Sequence, residues 1–122
     1  MKFNNNALLF TLENSDLTVN YDTLPIKKRN GQDFIMITLT DHSMFDRYYK
    51  DDILTIRLQK TCENGTDALV LLPDNSVILR QVFYKNDQIL LKAINNEFYD
   101  EQLFPKNTIQ IIGIVIKAIR IN

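Results

Sequence analysis

The sequence has little of several things, and each shortage removes a class of function. It holds a single cysteine, Cys62, so no disulfide can form within the chain. A lone cysteine suits a reducing compartment, and the expected location is cytoplasmic. It holds a single histidine, His42, twenty positions before that cysteine, which is a poor start for a zinc site; no structural metal is expected. There is no tryptophan and the formal net charge is −1, so a base-stacking, positively charged nucleic-acid surface is not supported. The three glycines stand apart and form no phosphate-cradling loop. No apolar run approaches the roughly 18–20 residues needed to cross a bilayer, and the N-terminal stretch does not read as a secretory signal.

What is present is β-forming sequence. The runs "DFIMITLT", "ILTIRLQ", "DALVLL", "SVILRQVFY", "QILLKAI" and "TIQIIGIVIKAIRI" are short and rich in β-branched and aliphatic residues. Turn chemistry separates them: "ENGT" at 63–66, "PDNS" at 73–76 and "KNDQ" at 85–88, with Asn30-Gly31 ahead of the first run. This predicts one mainly antiparallel β domain over 1–122, in which 1–30 is the less regular part. "ALLFTL" at 7–12 reads as a strand. "TLPIKKR" reads as an extended segment ending in a loop, so the basic Lys27–Arg29 cluster is expected to be solvated. There is no internal repeat, no low-complexity tract and no helix-turn-helix pattern. In "TIQIIGIVIKAIRI" two strand-like pieces flank Gly113, and the second is apolar on both faces. A hydrophobic edge is expected there.

The stretch "TDHSMFDRYYKDDIL", Thr40 to Leu54, places Ser43-Met44 between two hydrophobic runs, with one helical turn expected at "MFDRYYK" and paired acids, Asp51-Asp52, ahead of the second run. Paired acids in a polar turn read as solvated, and the same holds for Asp100-Glu101. Phe45, Tyr48 and Tyr49 read as core or as a partner-binding aromatic patch.

In order, these motifs resemble the C-terminal domain of LexA-like and lambda-type phage repressors, a family of self-cleaving serine peptidases. The resemblance covers about Phe34 to Ile121. The family's Gly-Asp-Ser-Met, Asp-Gly-Asp, Asn-Gly-Asp and Val-Lys-Arg-Leu segments correspond here to "TDHSM", "KDDIL", "NGTDAL" and "ILRQV". An Asn-Pro-like turn before an aromatic corresponds to Asn95 through Phe98, and "IQIIGIVIKAIRI" resembles the family's closing strand. The resemblance implies a signal-peptidase-like complex β-fold. It implies a nucleophile position at Ser43 and a general-base position at Arg80, 37 residues later.

Arginine departs from the family's lysine. A buried lysine can lose its proton near neutral pH; a guanidinium, whose pKa starts at about 12.5 or above, is not a general base there. Shifting the register by one brings Leu79 or Gln81, neither of them a base. Lys85 and Lys92 lie beyond it, and His42 on a strand would face away from Ser43. The Ala-Gly or Cys-Gly bond that the family cleaves is also missing, since the glycines follow Asn30, Asn64 and Ile112.

The expected function is therefore a non-cleaving dimerisation and regulatory domain of a phage-type or LexA-like transcriptional repressor, with no cofactor and no catalytic residue assigned. The expected partners are a second copy through Ile114, Ile116 and Ile119, and an inducer or antirepressor protein. DNA would be reached only through a separate N-terminal module, and no membrane is involved. The alternatives are an active peptidase using Ser43 and a stand-alone interaction adaptor.

Overall fold

The computed structural model describes residues 18–19, 27–29 and 32–120. Nine strands follow in chain order: β1 (Thr18–Val19), β2 (Lys27–Arg29), β3 (Gln32–Thr38), β4 (Ile53–Leu58), β5 (Thr66–Leu71), β6 (Val77–Lys85), β7 (Gln88–Lys92), β8 (Gln102–Pro105) and β9 (Gln110–Ile119). A short 3-10 turn, Lys106–Thr108, precedes β9. The fold is mainly β, and every strand pair among the described residues is antiparallel. The sheet runs β1-β3-β4-β9-β5-β6-β7-β8, with β2 also on β3. No helix among the described residues is long and apolar enough to cross a membrane.

Burial follows the sequence pattern. From Phe34 to Leu39 buried residues alternate with half-buried ones, the signature of a strand with one face on a core. In β5 four successive residues, Asp67 to Val70, are buried, so this strand is covered on both faces. Two apolar clusters result. Ile35, Ile37, Met44, Leu54, Ile56, Leu69 and Leu79 belong to the first. Ala68, Val70, Val82, Ile89, Leu91 and Ile111 belong to the second. β5 supplies Leu69 to one and its neighbours Ala68 and Val70 to the other, so the sheet feeds a core on each side.

The turns use the residues that their backbones demand. Gly65 has φ +82°, and Asn75 and Asn86 have φ of 69° and 56°. This is the left-handed region that glycine and asparagine tolerate best. The β6–β7 reversal has two loop residues, Asn86 and Asp87, between the paired Lys85 and Gln88.

Two sequence expectations are corrected here, and one strand was not foreseen. Lys27–Arg29 is a strand that pairs with Gln32–Phe34, not a loop; the intervening Asn30 and Gly31, like "ALLFTL", lie outside the described residues. The two pieces expected around Gly113 are one strand, β9. It is interior, held by β4 along Gly113–Ile119 and by β5 along Gln110–Ile114, with register shifts against both. Gly113 keeps that strand continuous: a Cβ there would collide with the Arg57 carbonyl oxygen and come within 2.7 Å of Ile56 Cγ2. The family-like glycine thus marks a close backbone approach, not a break. Last, β8 escapes a pattern-based reading. Its residues Gln102, Leu103 and Pro105 are all exposed, so no alternation marks it.

Candidate functional site

The segment between β3 and β4 folds back on itself. Leu39 N–H donates to Asp52 O at 3.0 Å and Asp51 N–H to Leu39 O at 2.7 Å, closing the loop at its base. Asp51 stands where the resembling family has glycine, and its φ is +75°, which explains why glycine suits that place. Inside the loop Arg47 N–H and Tyr48 N–H both donate to Met44 O at 2.8 Å, forming the one helical turn expected at "MFDRYYK". Met44 is fully buried in the first cluster and anchors the turn.

Ser43 is fully buried. Its N–H donates to Asp41 Oδ1 at 3.0 Å and its hydroxyl to the same oxygen at 2.6 Å. Asn95 fastens the turn from the far side: its N–H donates to Ser43 O at 2.9 Å and its Nδ2 to His42 O at 3.0 Å. Residues 41–43 form a turn and not a strand end, so strand alternation does not set the directions of His42 and Ser43. The outcome is nonetheless separation: His42 is exposed where Ser43 is buried.

Arg80 is buried at 8% exposure, opposite Ala68 in the β5–β6 ladder. Its Nη1 donates to Leu79 O at 2.8 Å, and its guanidinium lies 5.4 Å from the centre of the Tyr99 ring. Its Nε has no hydrogen-bond partner among the described residues. Burial pushes the Arg80 pKa down, and the charges of Asp41 and Tyr99 push it back up. No hydrogen bond joins Arg80 to Ser43 among the described residues; the serine proton goes to Asp41 instead. Lys92 is engaged with Glu101 at 3.3 Å, and Lys85 lies exposed at the end of β6.

The paired acids behave differently from a solvated turn. Asp51 is exposed, but Asp52 is buried at 2%. It accepts Tyr49 N–H at 2.8 Å and Arg120 Nε at 3.2 Å, while the Arg120 guanidinium stacks 3.7 Å from the centre of the Tyr49 ring. A buried carboxylate needs such partners. The aromatic trio divides. Tyr48 packs on the first cluster, whereas Phe45 is 46% exposed and meets Tyr49 edge to face at 5.1 Å.

A polar group absent from the sequence reading is Asp67. Its carboxylate takes Arg47 Nη1 at 2.6 and 2.7 Å and Tyr48 Oη at 2.9 Å. The hydrogen bond to Asp67 raises the Arg47 pKa, burial notwithstanding. Burial, then the Asp67 charge, raises that of Tyr48 far above its ordinary value. The aspartate of "NGTDAL" was the available signal, since the family has an aspartate after Asn-Gly. At the chain end Ile114 is half-buried, while Ile116 and Ile119 are 44% and 38% exposed. Among the described residues no three His, Cys, Asp or Glu side chains are grouped to hold a metal ion.

Comparison with known proteins bears on this centre. The Peptidase S24-like family model matches residues 6–116. The LexA repressor of Caldicellulosiruptor saccharolyticus is 29% identical over 113 residues, which are 92% of this chain and 52% of that protein. The LexA repressor of Gluconobacter oxydans is 26% identical over 98 residues, 80% of this chain and 41% of that protein. That of Herpetosiphon aurantiacus is 28% identical over 90 residues, 72% and 42% respectively. The chain thus spans about half the length of the curated relatives it matches. With the family match running almost from end to end, this LexA-like domain belongs to the Peptidase S24-like family.

Proposed function

We propose that the chain is the non-cleaving, self-associating domain of a repressor-type transcription regulator. The observation that carries this reading is the state of the two positions that the family uses for chemistry. Ser43 is buried with its hydroxyl committed to Asp41, and the general-base position holds Arg80, a cation that donates and does not accept. A nucleophile needs a base strong enough to take its proton within hydrogen-bond reach, and the carboxylate that holds the Ser43 hydroxyl is a far weaker base than the neutral lysine amine of the family.

Self-association is assigned to the end of β9. Ile116 and Ile119 are exposed there, and β5 no longer covers the strand edge. Joining two copies would make the second DNA contact of a repressor effectively intramolecular. DNA contact itself is assigned to a module outside these 122 residues, as the relatives' greater length allows. A repressor that does not cleave itself needs another release, and an inducer or antirepressor protein fills that role.

The test is incubation of the purified chain at about pH 10, where much more of a catalytic lysine would be neutral. The intact mass should not change. A discrete fragment from the wild type that is absent from Ser43→Ala would overturn the reading.

A further inference from the structure

Away from the serine turn, the sheet carries a cavity of about 850 Å³ between the segment after β4, the β5–β6 reversal and the start of β9. Its floor is apolar and belongs to the second cluster: Leu72, Ile89 and Ile111, with the half-buried Tyr84. No residue of the turn at 40–52 lines it, so it is not part of the candidate site.

The charge of its lining is one-sided. Lys60 and Lys106 line the cavity, and among the described residues no aspartate or glutamate does, in a chain with 15 acidic residues. Neither lysine has an ion-pair partner among the described residues. Lys106 instead rests 5.8 Å from the centre of the Tyr84 ring, an arrangement that holds the ammonium at the cavity without neutralising it. Tyr84 is fixed in turn: its hydroxyl accepts Cys62 N–H at 3.4 Å and lies 3.6 Å from Cys62 Sγ. Small-molecule sites typically enclose about 300–1,000 Å³, with an apolar lining and a few convergent polar groups. This cavity has that size, that lining and two cations with no acidic lining residue or ion-pair partner among the described residues.

We propose that the cavity binds a small amphipathic anion, an apolar chain or ring lying on Leu72, Ile89 and Ile111 with its anionic head between Lys60 and Lys106. The apolar body leaves water for the floor of the second cluster, and the head supplies the negative charge that the lining lacks. This goes beyond the proposed repressor role and does not depend on it, because neither Ser43 nor the end of β9 takes part.

Cys62 provides the readout. It lines the cavity and is the only cysteine in the chain, so alkylation by iodoacetamide reports this site alone. Burial raises its pKa, so the reaction is followed at mildly alkaline pH. Decanoate and decyl phosphate offer the same apolar chain with two different anionic heads; decanol offers the chain without charge. Either anion should slow alkylation of Cys62 saturably, and the stronger of the two identifies the preferred head. Decanol should leave the rate near that of the free protein. The doubly substituted Lys60→Gln/Lys106→Gln protein, altered only at exposed side chains, should keep its urea midpoint and bind the preferred anion at least about tenfold more weakly. The proposal is overturned if neither anion protects Cys62, if decanol protects as well as they do, or if the lysine substitutions leave binding unchanged.

Discussion

The Ser43 hydroxyl donates to the Asp41 carboxylate at 2.6 Å, with the Ser43 N–H on the same oxygen at 3.0 Å. The chain repeats this geometry at an exposed hairpin, where Ser76 gives its hydroxyl and N–H to Asp74 Oδ1 at 2.6 and 2.9 Å. Aspartate two residues before serine is thus a turn-closing device in this protein, used once at the surface and once in the interior. Asp41→Ala should expose the difference. It removes the acceptor from two donors of a buried residue, and each stranded donor costs about 1–3 kcal/mol. Asp74→Ala, at the surface, should cost little because water replaces the carboxylate. Urea denaturation of both variants checks this; equal losses would contradict the role given to Asp41. Asp41→Ala should also leave Ser43 unreactive toward a fluorophosphonate.

Arg80→Lys returns the residue type that the family uses as its base. Burial would then lower the lysine pKa and make a neutral amine available, while the bond from Nη1 to Leu79 O is lost. We expect no self-cleavage, because no glycine in the chain follows alanine or cysteine, and only slow cleavage of an added Ala-Gly peptide. Intact mass over a day decides it. Rapid self-processing of Arg80→Lys would mean that another bond reaches Ser43 and that only the base had been lost.

Strand content was legible because the alternation at 34–39 and the double-sided burial of β5 are both local patterns of residue type. The pairing of Ser43 with Arg80 rests on the family resemblance; among the described residues the Ser43 hydroxyl goes to Asp41 and Arg80 Nη1 to Leu79 O. What escaped were long-range polar contacts. Asp52 reads as solvated beside Asp51, and its burial depends on Arg120, 68 positions away. Asp67 meets Arg47 and Tyr48 across 20 and 19 positions. No periodicity announces such a pairing, because only the folded loop brings the partners together. The same limit applied to Asn95, whose role as a clasp on the serine turn spans 53 positions.

The Arg47–Asp67–Tyr48 group should give the fold an alkaline limit. The Tyr48 pKa is raised in the folded chain, by burial first and then by the Asp67 charge and hydrogen bond, against the opposing charge of Arg47. Unfolded tyrosine titrates near about pH 10. Below that value the phenol is neutral in both states, and its contribution is fully present. As pH rises above it, the unfolded chain releases the proton first, so the contribution is lost progressively toward the higher folded value. Urea midpoints should therefore decline above about pH 10, and Tyr48→Phe should decline less steeply. Some slope should persist, because burial also raises the pKa of Tyr84. Identical slopes for the wild type and Tyr48→Phe would remove Tyr48 from this account.

The end of β9 offers the sharpest test of assembly. β4 pairs with the strand as far as Ile119, but the pairing with β5 stops at Ile114. Beyond that point no other strand lies on this edge among the described residues, and Ile116 and Ile119 are 44% and 38% exposed. An exposed aliphatic pair beside an open edge invites a second copy of the same strand, and a two-fold arrangement would bring each copy against the other. Ile116→Glu separates this arrangement from a buried core position. At an exposed site the substitution should change folding stability by no more than about 0.5 kcal/mol, while at a two-fold contact it would bury two like charges close together. We expect the wild type to sediment as a dimer at tens of micromolar. Ile116→Glu should be a folded monomer that keeps its native circular dichroism, and Ile119→Glu should behave in the same way. A monomeric wild type at that concentration, or a Glu variant that stays dimeric, would rule out this contact.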